Sequence, residues 1–192
     1  MHSFDENILL GELRILSSRA RVAFAAASAT RQLKNYERLG KKQRPREIAE
    51  QLWVDVQVAA IDRDAWSTRL DEVMDLLPED GGDWAIGHAL ADDALSSLAY
   101  AIRCLLTFEP QESAWAARRA YEAADQAAIR ALGIKSGLPE SEMAIKAHKF
   151  VQRELARQRN DLALLHADLV DEVRRQSFAG ELLTDQEAAS LV

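Results

Sequence analysis

From Val151 to Val173 the chain reads VQRELARQRNDLALLHADLVDEV. Its apolar row falls at Val151, Leu155, Leu162, Leu165, Leu169 and Val173, with Gln158 as the one polar member. Steps of three and four residues bring these side chains to one side of an α-helix, whereas a half-buried strand would alternate. Extended back to Pro139 and forward to Ser177, the pattern predicts a last helix of about 37 residues, roughly 55 Å long at 1.5 Å per residue. A globule of this chain length is only about 40 Å across. Such a helix is either interrupted or projects beyond its own domain. A projecting apolar row needs cover, and the remedy expected from symmetry is a homodimer.

The same period runs through the rest of the sequence. A first helix is predicted from about Asp5 to Leu16, with Ile8, Leu9, Leu13 and Leu16 on one side. A second starts at Ser17 or Ser18, either of which can cap it, and continues to about Leu39, where Gly40 stops it. Its middle, Val22 to Ala29, is nearly all small and apolar, which makes it a central helix. Pro45 suits the first turn of a third helix, where a missing N–H costs nothing. That helix carries Ile48, Leu52, Val56 and Ala59, with Trp53 beside them. A fourth presents Trp66, Leu70, Val73 and Leu77. The stretch Pro78 to Asp83 (PEDGGD) reads as a loop, and Asp83 as the cap of a fifth helix reaching Phe108. Pro110 opens a sixth, alanine-rich helix that ends between Gly133 and Gly137. The fold expected is all-α, a single-domain bundle of about seven helices with a long C-terminal one. The domain spans residues 1–192, with a core from about 4 to 178 and a flexible tail over 179–192.

Composition narrows the function classes. The chain has 192 residues, of which 48% are apolar, enough for a core without a metal or disulfide staple. Cys104 is the only cysteine, so no internal disulfide forms and a reducing compartment is implied. The stretch from Met1 to Asn7 carries Asp5 and Glu6 and lacks a basic secretory start. No apolar run is long enough for a membrane helix. The protein is expected in the cytoplasm. A net charge of −7 opposes generic binding to nucleic acid, which depends on phosphate contacts. The charge is uneven. Arg31, Lys34, Arg38, Lys41, Lys42, Arg44 and Arg46 form a basic run with Glu37 alone among them, and Asp71 to Asp93 form a purely acidic one. The two runs either complement helix ends or face each other.

Three segments carry a resemblance: Asp92–Arg103 (DDALSSLAYAIR), Phe108–Asp125 (FEPQESAWAARRAYEAAD) and Val151–Leu165, together with Leu52-Trp53. They resemble the YjaG-like family of uncharacterised bacterial proteins, over nearly the whole chain, Phe4 to Val173. The resemblance implies an all-α fold of about seven helices and a bacterial origin. The family has no assigned activity, so no catalytic residue carries over.

Read residue by residue, the sequence offers no catalytic, cofactor-binding or metal-ligating constellation. Glu-x-x-His pairs of a di-iron bundle are missing. His148 and His166, 18 residues apart on one helix, are roughly 27 Å distant and share no ion. Cys104 lies in an apolar run and reads as a small buried hydrophobe. Asp92 and Asp93, about 100° apart on a helix, serve different faces and read as solvated or paired with arginines of a neighbouring helix. Arg159 and His166 return to nearly the same helix face, a spacing that resembles the metal-free RNases of the HEPN type, where a cation and an imidazole act together on a phosphodiester. The strongest binding surface is on the sixth helix. Ala117, Tyr121, Ala124, Ala128 and Ala131 make its core stripe, while Trp115, Arg119, Glu122, Gln126 and Ile129 line the opposite side as a candidate interface. The internal reading stacks Arg119 on Trp115. Gln158, flanked by Glu154, Arg157 and Asp161, reads as a register-fixing residue, with Arg157 paired to Asp161 one turn on. The function expected is a non-enzymatic protein–protein interaction role as a homodimer without cofactor. The alternatives are an immunity or antitoxin-like inhibitor whose acidic loop meets a basic toxin, and the RNase.

Overall fold

The computed structural model describes residues 1–40, 43–58, 60–77 and 85–191. Among these no strand forms, and the helices are α1 (Glu6–Ile15), α2 (Ser18–Thr30), α3 (Leu33–Glu37), α4 (Arg44–Asp55), α5 (Arg63–Met74), α6 (Ile86–Thr107), α7 (Pro110–Leu132), α8 (Pro139–Ala147), α9 (Lys149–His166), α10 (Val170–Ala179) and α11 (Asp185–Ala189). The all-α bundle is therefore the architecture. The loop at Pro78–Asp83, the cap expected at Asp83, and Lys41, Lys42 and Ala59 lie outside the described residues.

Local chemistry explains most helix starts. Asp5 accepts the amides of Asn7 and Ile8 at the head of α1, and the Ser17 hydroxyl accepts the amide of Ala20 at 3.2 Å to open α2. Prolines stand in the first turns of α4, α7 and α8. Gly133 closes α7 in the left-handed region at φ 64°.

The centre is α2, whose residues from Val22 to Thr30 are all buried. Alanines at 23, 25, 26, 27 and 29 let α6, α7, α9 and α10 come close to it. The longest contact in the bundle is α6 against α7, where α7 buries Ala114, Ala116, Ala117, Ala120, Ala123, Ala124, Ala127 and Ala128. Trp53 and Trp66 are fully buried, and each indole N–H is satisfied: Trp53 donates to Thr30 Oγ1 at 3.0 Å and Trp66 to Asp55 Oδ2 at 2.7 Å. A second buried cluster joins α7, α8 and α9 to Leu182, Leu183 and Leu191.

Several expectations change. The second helix does not run to Leu39: it ends at Thr30, and Gln32 N–H bonds to Ala29 O in a tighter turn before α3. The break frees the Arg31 carbonyl, which accepts the Leu182 amide at 2.9 Å. The long last helix is divided into α8, α9 and α10. His148 leaves helical geometry (ψ 144°), and its ring nitrogen takes the Phe150 amide. Asp168 adopts φ 57°, and Leu169 N–H closes α9 on Leu164 O at 2.9 Å. With no continuous 37-residue helix, no end projects from the bundle, and that argument for a dimer falls away. The tail is not loose: Thr184 and Glu187 form a capping box around α11, and Leu182, Leu183 and Leu191 are buried. Finally, Leu9, Leu13 and Leu16 point inward as expected, but Ile8 is 67% exposed.

Candidate functional site

The five residues of the candidate α7 interface are half-buried and partly engaged within the chain. Arg119 Nη1 lies 3.3 Å from Asp93 Oδ1 and 3.3 Å from Glu122 Oε2, and Gln126 Nε2 donates to Asp93 Oδ2 at 3.0 Å. Asp93 is thus the buried member of a cross-helix pair, as read for one of the two aspartates. Burial raises its pKa to about 7, against the pull of Arg119. Trp115 does not carry Arg119; it packs on Tyr100 with ring centroids 5.4 Å apart. The core stripe of α7 is broader than read, and at its end Ala131 is exposed.

On α9 the structure does bring Arg159 and His166 together. Both line a groove of about 400 Å³ between α1 and α9, with Ile8, Glu12, Leu162 and Ala163. His166 Nε2 sits 3.3 Å from Glu12 Oε2. Arg159 forms no salt bridge among the described residues and is exposed. Ile8 and Ile15, seven residues apart and so on one side of α1, are 67% and 73% exposed beside this groove.

At 100° per residue the opposite flank of α9 is a different surface, and sequence reasoning missed it. Here Arg31 is buried, and its guanidinium forks onto Glu154 (Nη2–Oε1 3.0 Å, Nε–Oε2 3.3 Å) while Nη1 reaches Asp161 Oδ2 at 2.6 Å. Burial pulls the pKa of Arg31 down, but the two carboxylates outweigh it and hold the guanidinium charged. Gln158 Nε2 donates to Glu154 Oε1 and to Ala117 O, each at 3.0 Å, tying α9 to α7. This fits the positional role expected of Gln158. The expected partner of Asp161, however, was Arg157, and Arg31 takes its place.

Arg157 turns instead to the C-terminal segment and donates to Glu181 O at 2.7 Å. Its neighbours do likewise. Arg153 reaches Leu182 O at 2.5 Å, Arg38 reaches Leu183 O at 2.8 Å, and Arg130 reaches Leu191 O at 2.8 Å. Four guanidiniums from α7, α9 and the end of α3 therefore hold the backbone of residues 181–191. Arg153 also pairs with Glu187, whose pKa this hydrogen bond lowers to about 2. Of the basic run, Arg38 faces this tail, Arg46 pairs with Glu37, and Arg44 reaches the acidic run at Glu72, 2.7 Å away. Between α9, α10 and the tail lies a cleft of about 490 Å³ lined by Arg153, Arg157 and Arg175. The hint in the sequence was the pair of arginines at 153 and 157, one turn apart on α9, but the carbonyls they reach lie 24 or more residues away.

Among the described residues no group of three or more His, Cys, Asp and Glu is arranged to hold a metal ion. Cys104 is buried, and burial pushes its thiol up to about 12, so it presents no thiolate. No helix among the described residues is long and apolar enough to cross a membrane. The acidic loop of the inhibitor reading lies outside the described residues.

No protein-family model matches the chain. No curated protein matches it either. Among solved structures it is similar to the crystal structure of a DUF416 family protein from Shewanella baltica OS155, with a TM-score of 0.75 and 18% identity over 93% of this chain and 95% of that one. At this identity the likeness is one of fold. The chain shares, over nearly its whole length, the all-α architecture of a DUF416 family protein.

Proposed function

We propose that this protein works by contact rather than by chemistry, as a homodimer joined through the α1–α9 groove. The observation that carries the reading is the outer row of α1. Ile8 and Ile15 stand mostly exposed on one side of a helix, beside a groove floored by Leu162 and Ala163. Single exposed apolar residues are ordinary, but a row next to a concave apolar surface is the form an interface core takes. The groove carries both signs, Asp5 and Glu12 with Arg159. A two-fold axis sets such a surface against its own copy with opposite charges facing. We also propose that the chain belongs to the YjaG-like family of uncharacterised bacterial proteins, a reading supported by the three sequence segments above.

Sedimentation equilibrium tests the contact. The wild type is expected to sediment as a dimer and Ile8→Glu/Ile15→Glu as a monomer with unchanged circular dichroism. A wild-type monomer at tens of micromolar (on the order of the transient range) contradicts the reading. One geometric fact favours a second reading, an RNase. Arg159 and His166 share the groove, and Glu12 lies against the imidazole as an orienting carboxylate does. Cleavage of single-stranded RNA that is lost in His166→Ala would select it over the first.

A further inference from the structure

The cleft on the far flank of α9 has the makings of a ligand site, independent of the groove just described. Arg153 and Arg157, one turn apart on α9, form one wall, and Arg175 on α10 stands in the other. The wall residues differ in how far their charge is met. Arg175 is tied to Glu172 at 2.5 and 2.8 Å. Arg157 forms no salt bridge among the described residues; its hydrogen bond goes to the Glu181 carbonyl, a neutral acceptor. Arg153 leaves its Nε buried without an acceptor. The one acid lining the cleft, Asp161, is engaged by Arg31 at 2.6 Å. Arg157 thus presents a charge that no carboxylate among the described residues meets, and Arg153, though paired with Glu187, keeps one buried N–H without an acceptor, which is costly to leave unpaired.

The backbone makes room for this arrangement. A Cβ at Gly180 would lie 3.2 Å from Arg157 Nη2 and 3.2 Å from Gln176 O, so a larger residue there would push the guanidinium off its place. The Asn160 amide donates to Gln176 Oε1 at 2.8 Å and fastens α9 to α10 beside the recess.

We propose that this cleft binds a tetrahedral dianion, phosphate or a phosphomonoester, held by Arg157 and Arg153 from α9 and by Arg175 from α10. The tetrahedral shape follows from the donors. A planar carboxylate is matched by one guanidinium fork, whereas donors arriving from two walls call for an acceptor with oxygens on several sides. Burial also lowers the pKa of Arg157, chiefly through desolvation, and an anion in the cleft would reverse that penalty.

The test is thermal unfolding of the full chain in inorganic phosphate, against sodium chloride at matched ionic strength. A ligand that binds only the folded state raises the melting midpoint, by roughly 5–10 °C at a hundredfold excess over Kd for a chain of this size. Two variants localise the effect. Arg157→Gln removes the unpaired charge. Ala156→Glu, at an exposed position of the cleft wall, supplies a carboxylate from within the chain and needs no loss of a tail contact, so it decides the matter if Arg157→Gln does not fold. The proposal expects a phosphate-specific rise in the wild type that is absent from each folded variant. It is overturned if phosphate does no more than chloride, or if a folded variant responds as the wild type does. Glucose 6-phosphate in place of phosphate then separates the two sources: an equal or larger rise means the cleft admits a phosphomonoester, and no rise restricts it to the free ion.

Discussion

The two flanks of α9 are built on different principles. Toward α7 and α2 the molecule is held by small apolar side chains, with alanines from two long helices packed at close range. Toward the end of α2, α10 and the C-terminal segment it is held by guanidiniums: Arg31 on two buried carboxylates, and Arg38, Arg153 and Arg157 on three successive carbonyls. The first kind of contact is forgiving in identity and strict in volume. The second is strict in identity, because removing one partner leaves the others unpaired in the interior.

The largest expected effect of this difference is at Arg31. Arg31→Met leaves Glu154 and Asp161 buried without their cation, and urea unfolding should show a loss of about 3–5 kcal/mol. Replacing Glu154 and Asp161 by Gln and Leu in the same chain should recover most of it. A loss below about 1 kcal/mol for the single variant would mean that the network is decoration on an apolar fold.

A smaller effect belongs to the alanine side, where Asp93 is buried between α6 and α7, facing Arg119, Gln126, Glu122 and Asp92. Its pKa is about 7 in the fold against 3.8 ordinarily. Between those values the folded chain keeps a proton that the unfolded chain has released, so stability falls as pH rises through this window. The expected change is roughly 1–3 kcal/mol, and Asp93→Asn should remove it. A wild-type curve that rises with pH over the same window would show that Arg119 holds the carboxylate ionised.

The same contrast explains which features the sequence disclosed. Helix ends rest on neighbours in the chain: Ser17, Pro45 and Pro110 mark starts and Gly133 a stop. Burial along α2 and α7 follows from runs of alanine. The breaks at Arg31, His148 and Asp168 carry no glycine or proline. At Arg31 the turn is repaid by partners more than 120 residues away, which no local pattern can reveal. The α1 helix holds two apolar rows, Leu9/Leu13/Leu16 and Ile8/Ile15, and periodicity does not say which faces inward. Of the candidate site, Arg159 and His166 were readable as a shared face, but the partner helix α1 was not. Of the arginine cleft only the spacing of Arg153 and Arg157 was readable, since their acceptors are backbone carbonyls that every residue possesses.

These arginines build the C-terminal segment into the fold, so that it forms one side of the cleft. Native-state hydrogen exchange at the Leu182 amide, which donates to Arg31 O, tests it most directly. Protection of the same order as amides in the middle of α7, through global unfolding, is expected. Exchange at the rate of an open chain terminus would contradict it.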